Sequence, residues 1–238
     1  MQDFTTKTEL VAYLSKITKE KTIGFIPTMG ALHQGHLSLI EESNKKCDIT
    51  ICSLFVNPTQ FNNASDLANY PNTINADLEK LERLACDVVY IPTIEDLYEN
   101  EEKAKTFDFG SLTTSMEGKF RSGHFIGMAT IVEKFFNIIQ PTIAFFGQKD
   151  LQQLQIVKAL VKQMKSAIKI EGMPTIREKN GLAKSSRNKL LSESAKKEAA
   201  LIYNCLHYCK NNKKKGITEL KYYIQNQFEQ HKNLKLEY

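Results

Sequence analysis

The stretch Thr22-Ile23-Gly24-Phe25-Ile26-Pro27-Thr28-Met29-Gly30-Ala31-Leu32-His33-Gln34-Gly35-His36 passes from a β-branched and aromatic run, through a glycine turn, into a helical pattern over residues 37–46. A strand that gives way at once to a helix has its turn at the carboxyl end of a parallel sheet, where ligands collect. The first amides of the helix and the positive end of its dipole favour an anion there. Gly35 lets a nucleotide approach closely, and His33 and His36, three apart on an opening turn, can point the same way. A histidine pair at this spacing serves structure or a metal as readily as chemistry. The flanking glycines and the strand–turn–helix context decide for phosphate, with both imidazoles donating to oxygens as charge builds at phosphorus.

Outward from this point the pattern repeats. Short β-branched or aromatic runs over residues 22–27, 48–56, 87–91, 142–146 and 167–172 predict strands, alternating with helical patterns over 37–46, 74–84, 125–139 and 151–165. The run Ile49-Thr50-Ile51-Cys52-Ser53-Leu54-Phe55-Val56 suits a strand buried on both faces. Such alternation predicts an α/β fold: a doubly wound, Rossmann-like parallel sheet. After about Met173 a Gly- and Ser-containing loop leads into two polar helices over 192–210 and 217–230, and residues 234–238 read as the start of a strand. The expected division is residues 1–175 as a nucleotide-binding domain and 176–238 as a small α+β lid.

A chain of 238 residues, 42% hydrophobic, can bury a substantial core. Its 32 basic and 27 acidic residues leave +5, spread out except for a Lys-rich run at 210–215 that reads as a solvated helix end. An organised basic face with stacking aromatics is missing, so no nucleic acid is expected as partner. Residues 1–10 lack the apolar core of a signal peptide, and no stretch approaches a membrane span. Five cysteines without metal-ligand pairing read as reduced thiols of a cytoplasmic protein.

Five further segments carry candidate chemistry. Asn57-Pro58-Thr59-Gln60 ends a strand with two amides that offer both donors and acceptors, as a hydroxy acid requires, although a turn-forming Asn-Pro explains it equally. Tyr70-Pro71-Asn72-Thr73 precedes a helix with Asp77 in its first turns; that carboxylate either compensates the dipole or helps hold Mg²⁺ beside phosphates. Gly147-Gln148-Lys149-Asp150 follows a strand, with Lys149 as a point charge for phosphates and Gln153 one turn on. Arg121-Ser122-Gly123-His124 and Arg177 through Asn188, with Ser185-Ser186-Arg187, are loops whose cations suit a carboxylate or phosphates, or a solvated surface and a helix cap.

His33-Gln34-Gly35-His36 resembles the HxGH signature of the nucleotidylyltransferase superfamily, and the segments together, in this order, resemble the pantothenate synthetase (pantoate–β-alanine ligase) family from about Thr22 to Asn188. The resemblance implies adenylation of pantoate by MgATP followed by transfer of the pantoyl group to β-alanine, with no protein nucleophile. It implies that His33, His36, Lys149, Ser185, Ser186 and Arg187 act in catalysis and that Met29, Asn57, Gln60, Tyr70, Arg121, His124 and Gln153 border pantoate or β-alanine. Pro27, Thr28, Met29, Gly30, Gly147, Asp150 and Ile176 would join the catalytic residues around ATP, and Asp77 would serve Mg²⁺, directly or through water. A homodimer is the family expectation. Ser122, Asn72 and Asn180 depart from the family's Pro, Arg and Asp at those positions. The competing readings are another HxGH nucleotidylyltransferase, a fragment of a class I tRNA synthetase, and a non-enzymatic ATP-binding module. The Asn57–Gln60 and Lys149–Gln153 segments disfavour the first, the weak basic field the second, and the retention of His33, His36, Lys149 and Arg187 the third.

Overall fold

The computed structural model describes residues 1–17, 20–98 and 106–238. They form two compact units, Met1–Pro174 and Thr175–Tyr238.

The first unit is built on a six-stranded sheet with the spatial order β1-β4-β3-β2-β5-β6. The strands are β1 (Gln2–Phe4), β2 (Ile23–Thr28), β3 (Ile49–Leu54), β4 (Val88–Tyr90), β5 (Ile143–Gly147) and β6 (Lys169–Met173). Every neighbouring pair runs parallel. The connecting helices are α1 (Lys7–Leu14), α2 (Gln34–Lys46), α3 (Ala64–Ala68), α4 (Ile74–Arg83), α5 (Ile94–Leu97), α6 (Glu117–Phe120), α7 (His124–Ile139) and α8 (Leu151–Gln163).

The pleat sends alternate residues of each central strand to two cores. Phe25, Ile51 and Val88 pack with Phe125, Phe135 and Phe136 of α7 and Val157 and Leu160 of α8. Ile26, Cys52 and Val89 pack with Leu39 and Ile40 of α2 and Leu81 of α4. All six residues of β3 are buried, which explains its unbroken apolar character. The fold is therefore the doubly wound α/β sheet that the alternation predicts. The chain leaves β2 toward β3 and β4 on one side and returns to β5 on the other, so the crevice at the carboxyl ends of β2 and β5 is the topological switch point.

β1 and α1 are additions to the sequence-based expectation. β1 is only three residues, two of them exposed, and gives no periodic signal; it is defined by its register against Val88, Val89 and Tyr90. The second unit holds α9 (Glu193–Asn211) and α10 (Ile217–Glu229), joined by stacking of Tyr208 on Tyr223 at 3.7 Å. Residues 234–238 are not a strand: among the described residues no segment pairs with them. β structure in this unit is confined to a bridge between Arg177 and Ala183.

Candidate active site

The turn after β2 is held by a carboxylate from far along the chain. Gly30 and Ala31 both take left-handed conformations, with φ of 77° and 50°. For alanine this is an uncommon state that needs support from its surroundings. Asp77, 1% exposed on α4, supplies it. Its carboxylate accepts from the amides of Ala31 at 2.7 Å and Leu32 at 2.9 Å, from Thr73 Oγ1 at 2.9 Å, and from Lys80 Nζ at 3.0 Å. Thr28 adds a second anchor, donating from Oγ1 to the Ser53 carbonyl at 2.8 Å and accepting from the Gly30 amide at 3.1 Å.

Asp77, expected to serve Mg²⁺, is engaged by the protein itself in this structure. Both oxygens are taken up by four protein donors, one of them an ammonium, and the group is sealed from solvent. No cluster of three or more His, Cys, Asp or Glu side chains suited to a metal occurs among the described residues. The described residues do not by themselves make a cage for a resident ion.

His33 is the N-cap of α2 and His36 its third residue, and the two form a reciprocal capping box. His33 Nδ1 accepts from the Gly35 amide at 3.1 Å, and His36 Nδ1 accepts from the His33 amide at 3.3 Å. A nitrogen that accepts from a backbone N–H carries no proton of its own, so in the neutral rings the proton sits on Nε2. The imidazoles stack with centroids 4.0 Å apart. Burial, with His33, Lys149 and Lys80 nearby, pushes His36 down to about 3. His36 is thus a neutral Nε2–H donor at physiological pH.

The segment after β3 is anchored as firmly. Asn57, 1% exposed, caps a short 3-10 turn over Pro58–Gln60. Its Nδ2 donates to Gln60 Oε1 at 3.3 Å and to the Gly127 carbonyl at 3.1 Å. Its Oδ1 accepts from Tyr98 OH at 2.9 Å and Thr59 Oγ1 at 3.0 Å. Both Nδ2 protons are engaged within the protein, and through one of them Asn57 orients Gln60. The buried His124, first residue of α7, donates from Nδ1 to the Gln60 carbonyl at 2.7 Å, and burial holds its imidazole below the ordinary range. Gln60 Nε2 rests on Met29 Sδ at 2.9 Å, a weak acceptor. Gly127 makes the close approach feasible, since a Cβ there would lie 2.3 Å from the Thr59 carbonyl oxygen.

Across the switch point, β5 ends in Gly147 and the exposed Lys149 and Asp150 follow, their charged groups 3.4 Å apart. Lys149 is near enough to depress His36, so the turns after β2 and β5 face one another. Gln153 is half-buried at the start of α8, while its neighbour Gln152 is committed elsewhere. The Gln152 amide donates to the carbonyls of Leu112 and Ser115 and accepts from the Glu117 amide, pinning the segment that leads to Arg121. Arg121 is paired with Glu117 at 2.7 Å. Tyr70 meets Phe61 edge-on at 5.7 Å, and Pro27 is half-buried on β2.

In the second unit the Ile176 carbonyl accepts from the Lys184 amide at 2.9 Å. Ser185 caps the 3-10 turn Ser186–Leu190 by accepting from the Arg187 amide at 3.3 Å; Ser186 is buried and Arg187 exposed. Asn180 accepts from the Leu182 amide and also donates to the Lys196 carbonyl at 3.2 Å, a bond an aspartate could not make. The residues missed in the sequence are Tyr98, Gly127, Gln152 and Lys80, which act through partners distant in the chain, and Thr73, whose partner Asp77 lies four residues on.

A family model described as Pantoate-beta-alanine ligase matches residues 2–238. Pantothenate synthetase of Flavobacterium psychrophilum is 48% identical over 99% of this chain and 84% of that protein. That of Christiangramia forsetii is 45% identical over 100% and 85%. The crystal structure of pantothenate synthetase from Thermus thermophilus superposes with a TM-score of 0.93 at 34% identity, covering 100% of this chain and 86% of that one. Pantoate-beta-alanine ligase from Francisella tularensis, complexed with beta-gamma ATP and beta-alanine, gives 0.86 at 37% identity, over 96% and 86%.

Proposed function

The chain belongs to the pantoate–β-alanine ligase family, and from this premise we propose how its residues divide the work of condensing pantoate with β-alanine as ATP is cleaved. The observation that carries the reading is the pair of imidazoles at the switch point whose δ nitrogens are occupied by their own backbone, which leaves Nε2–H as the donor on each neutral ring.

In the first step a pantoate carboxylate oxygen attacks the α-phosphorus of ATP. The P–O bond to the β-phosphate breaks, pyrophosphate leaves and pantoyl adenylate remains. Charge rises on the α-phosphate oxygens in the transition state, and His33 and His36 donate to them. Lys149 supplies a point charge to the phosphates, and Ser185, Ser186 and Arg187 bind them through two hydroxyls and a bidentate guanidinium. Pro27, Thr28, Gly30, Gly147, Asp150 and Ile176 border the nucleotide. Mg²⁺ enters as MgATP, held by the phosphates.

Gln60 and Gln153 hold pantoate, with Met29 beside them. Asn57 and His124 fix Gln60 from behind, and Tyr70 and Arg121 border the β-alanine site. In the second step the neutral amine of β-alanine attacks the acyl carbon, the bond to AMP breaks, and the amine loses a proton to give pantothenate. Position and electrostatics carry both steps, and no covalent enzyme intermediate forms. The working assembly is a homodimer, in keeping with the family. A cytoplasmic location is in keeping with the five free cysteines. No described helix is long and apolar enough to cross a membrane.

Incubation with ATP, Mg²⁺ and pantoate, with and without β-alanine, tests the reading. AMP and pantothenate should appear together and only with β-alanine in excess of a single turnover. AMP formation that ignores β-alanine would reject it.

A further inference from the structure

The peptide group joining Leu32 to His33 is held at both ends. Its carbonyl accepts from Lys80 Nζ at 2.9 Å, and its N–H donates to His36 Nδ1 at 3.3 Å. From this we infer that Lys80 is a positioning residue, which through one peptide plane sets the ring orientation and tautomer of His36 and so aims its Nε2–H at the reacting phosphate. The inference deepens the reading of His36 as a phosphate donor and rests on it.

A cation on the carbonyl oxygen draws electron density toward that oxygen and makes the N–H of the same amide a better donor. A stronger donor on Nδ1 keeps the proton on Nε2, where the phosphate needs it. Lys80 is itself fixed, because its ammonium also lies 3.0 Å from Asp77 Oδ1 on the same helix. The ion pair therefore grips Leu32 from both sides: Asp77 takes the amides of Ala31 and Leu32, and Lys80 takes the Leu32 carbonyl. Two left-handed residues precede this peptide, so without the grip the turn has nearby alternatives that would rotate the plane. A lysine serving only solubility would leave its ammonium in water; this one is 31% exposed and commits two of its three protons to the turn and its carboxylate.

The charge itself works in the same direction. The titratable groups that face His36 are His33 on its own helix, Lys149 beyond β5 and Lys80 on α4. The nearby carboxylate, Asp77, is committed to the turn. Buried and faced by two lysines, the ring stays neutral, and Lys80 contributes to this both through space and through the peptide.

The test uses the full chain with Lys80→Met and Lys80→Arg. Nitrogen-15 NMR of the imidazoles, assigned with His36→Gln and recorded without substrate, reads the tautomer directly. In the wild type His36 should hold the Nε2–H form down to pH ~5, given the depression of its pKa by burial. In Lys80→Met it should populate both tautomers and titrate at higher pH, with the acid limb of the kcat profile moved the same way. Turnover should fall about 10- to 100-fold, as expected for a misplaced catalytic group, and Lys80→Arg should restore most of it. A His36 spectrum unchanged in Lys80→Met overturns the inference whatever the activity does. A changed spectrum with unchanged turnover upholds the relay and instead removes His36 from the chemistry. If Lys80→Met folds poorly, Lys80→Gln, which keeps a neutral donor, gives the same comparison.

Discussion

Replacing Asn57 by alanine removes a side chain that makes five hydrogen bonds, to Gln60, Gly127, Tyr98 and, twice, Thr59. The immediate loss is in stability. The Gly127 carbonyl and the Tyr98 hydroxyl are left without that partner, and a stranded buried polar group costs about 1–3 kcal/mol, so a fall of about 2–4 kcal/mol is expected. The second loss is in binding. Gln60 keeps its weak contact with Met29 but is freed at Oε1, and must be ordered by pantoate instead of by the protein. Ordering a long polar side chain costs up to about 2 kcal/mol, and about 1.4 kcal/mol is tenfold in Kd. Pantoate affinity should therefore weaken about 10- to 30-fold, as read by calorimetric titration, with stability read separately by denaturant unfolding. The same substitution in a Gln60→Ala background should weaken pantoate no further, because Asn57 acts through Gln60. Additive losses in that cycle, or unchanged pantoate affinity in Asn57→Ala, would refute the argument and leave Asn57 as a stabilising residue alone.

Three other perturbations follow from the same geometry. His36→Gln should lower turnover about 10²–10³-fold, the usual effect of losing one donor to a developing oxyanion. Because burial depresses His36 to about 3, the unfolded chain binds a proton there more readily than the folded one below about pH 6.5. Wild-type stability should thus decline as pH falls from there toward about 3, and His36→Gln should flatten that slope in urea melts at several pH values. Asp77→Asn should destabilise the fold and slow turnover while leaving the Mg²⁺ concentration for half-maximal rate unchanged; a large rise in that concentration would return Asp77 to the metal. Arg187→Lys should slow adenylation and raise the share of ATP cleaved without pantothenate, measured as AMP against product; a wild-type rate with a one-to-one ratio would make Arg187 a surface charge.

What the sequence shows and what it hides divides along a physical line. Residue type and period are local, and they suffice for β2, β3, β5, α2, α7 and α8, whose observed ends lie within a few residues of those the pattern predicts. The identity of the site is legible for the same reason, since His33, His36 and Lys149 sit at strand ends whatever their partners. Partnership is not local. Asp77 looks like an ordinary acidic residue near a helix start, and nothing in its neighbourhood announces that it reaches a turn 46 residues earlier. Asn57 looks like a presented amide, yet α7 closes over it through Gly127. Residues 234–238 have strand-like composition, but a strand needs a neighbour, and composition does not supply one.

The strand order also governs when the catalytic centre can come into being. β2 meets β3 a short way along the chain, Ile23 against Ile49, but its pairing with β5 joins Gly24 to Ile143 across most of the first unit. Closing a loop of that length comes late on entropic grounds. A chain emerging from the ribosome can assemble β2, β3 and β4 with α2 and α4 and already set Asp77 beneath the histidine turn. Until β5 docks, Lys149 has no fixed place beside those imidazoles. Refolding followed by activity should accordingly lag behind refolding followed by helix signal, the delay marking the arrival of one central strand.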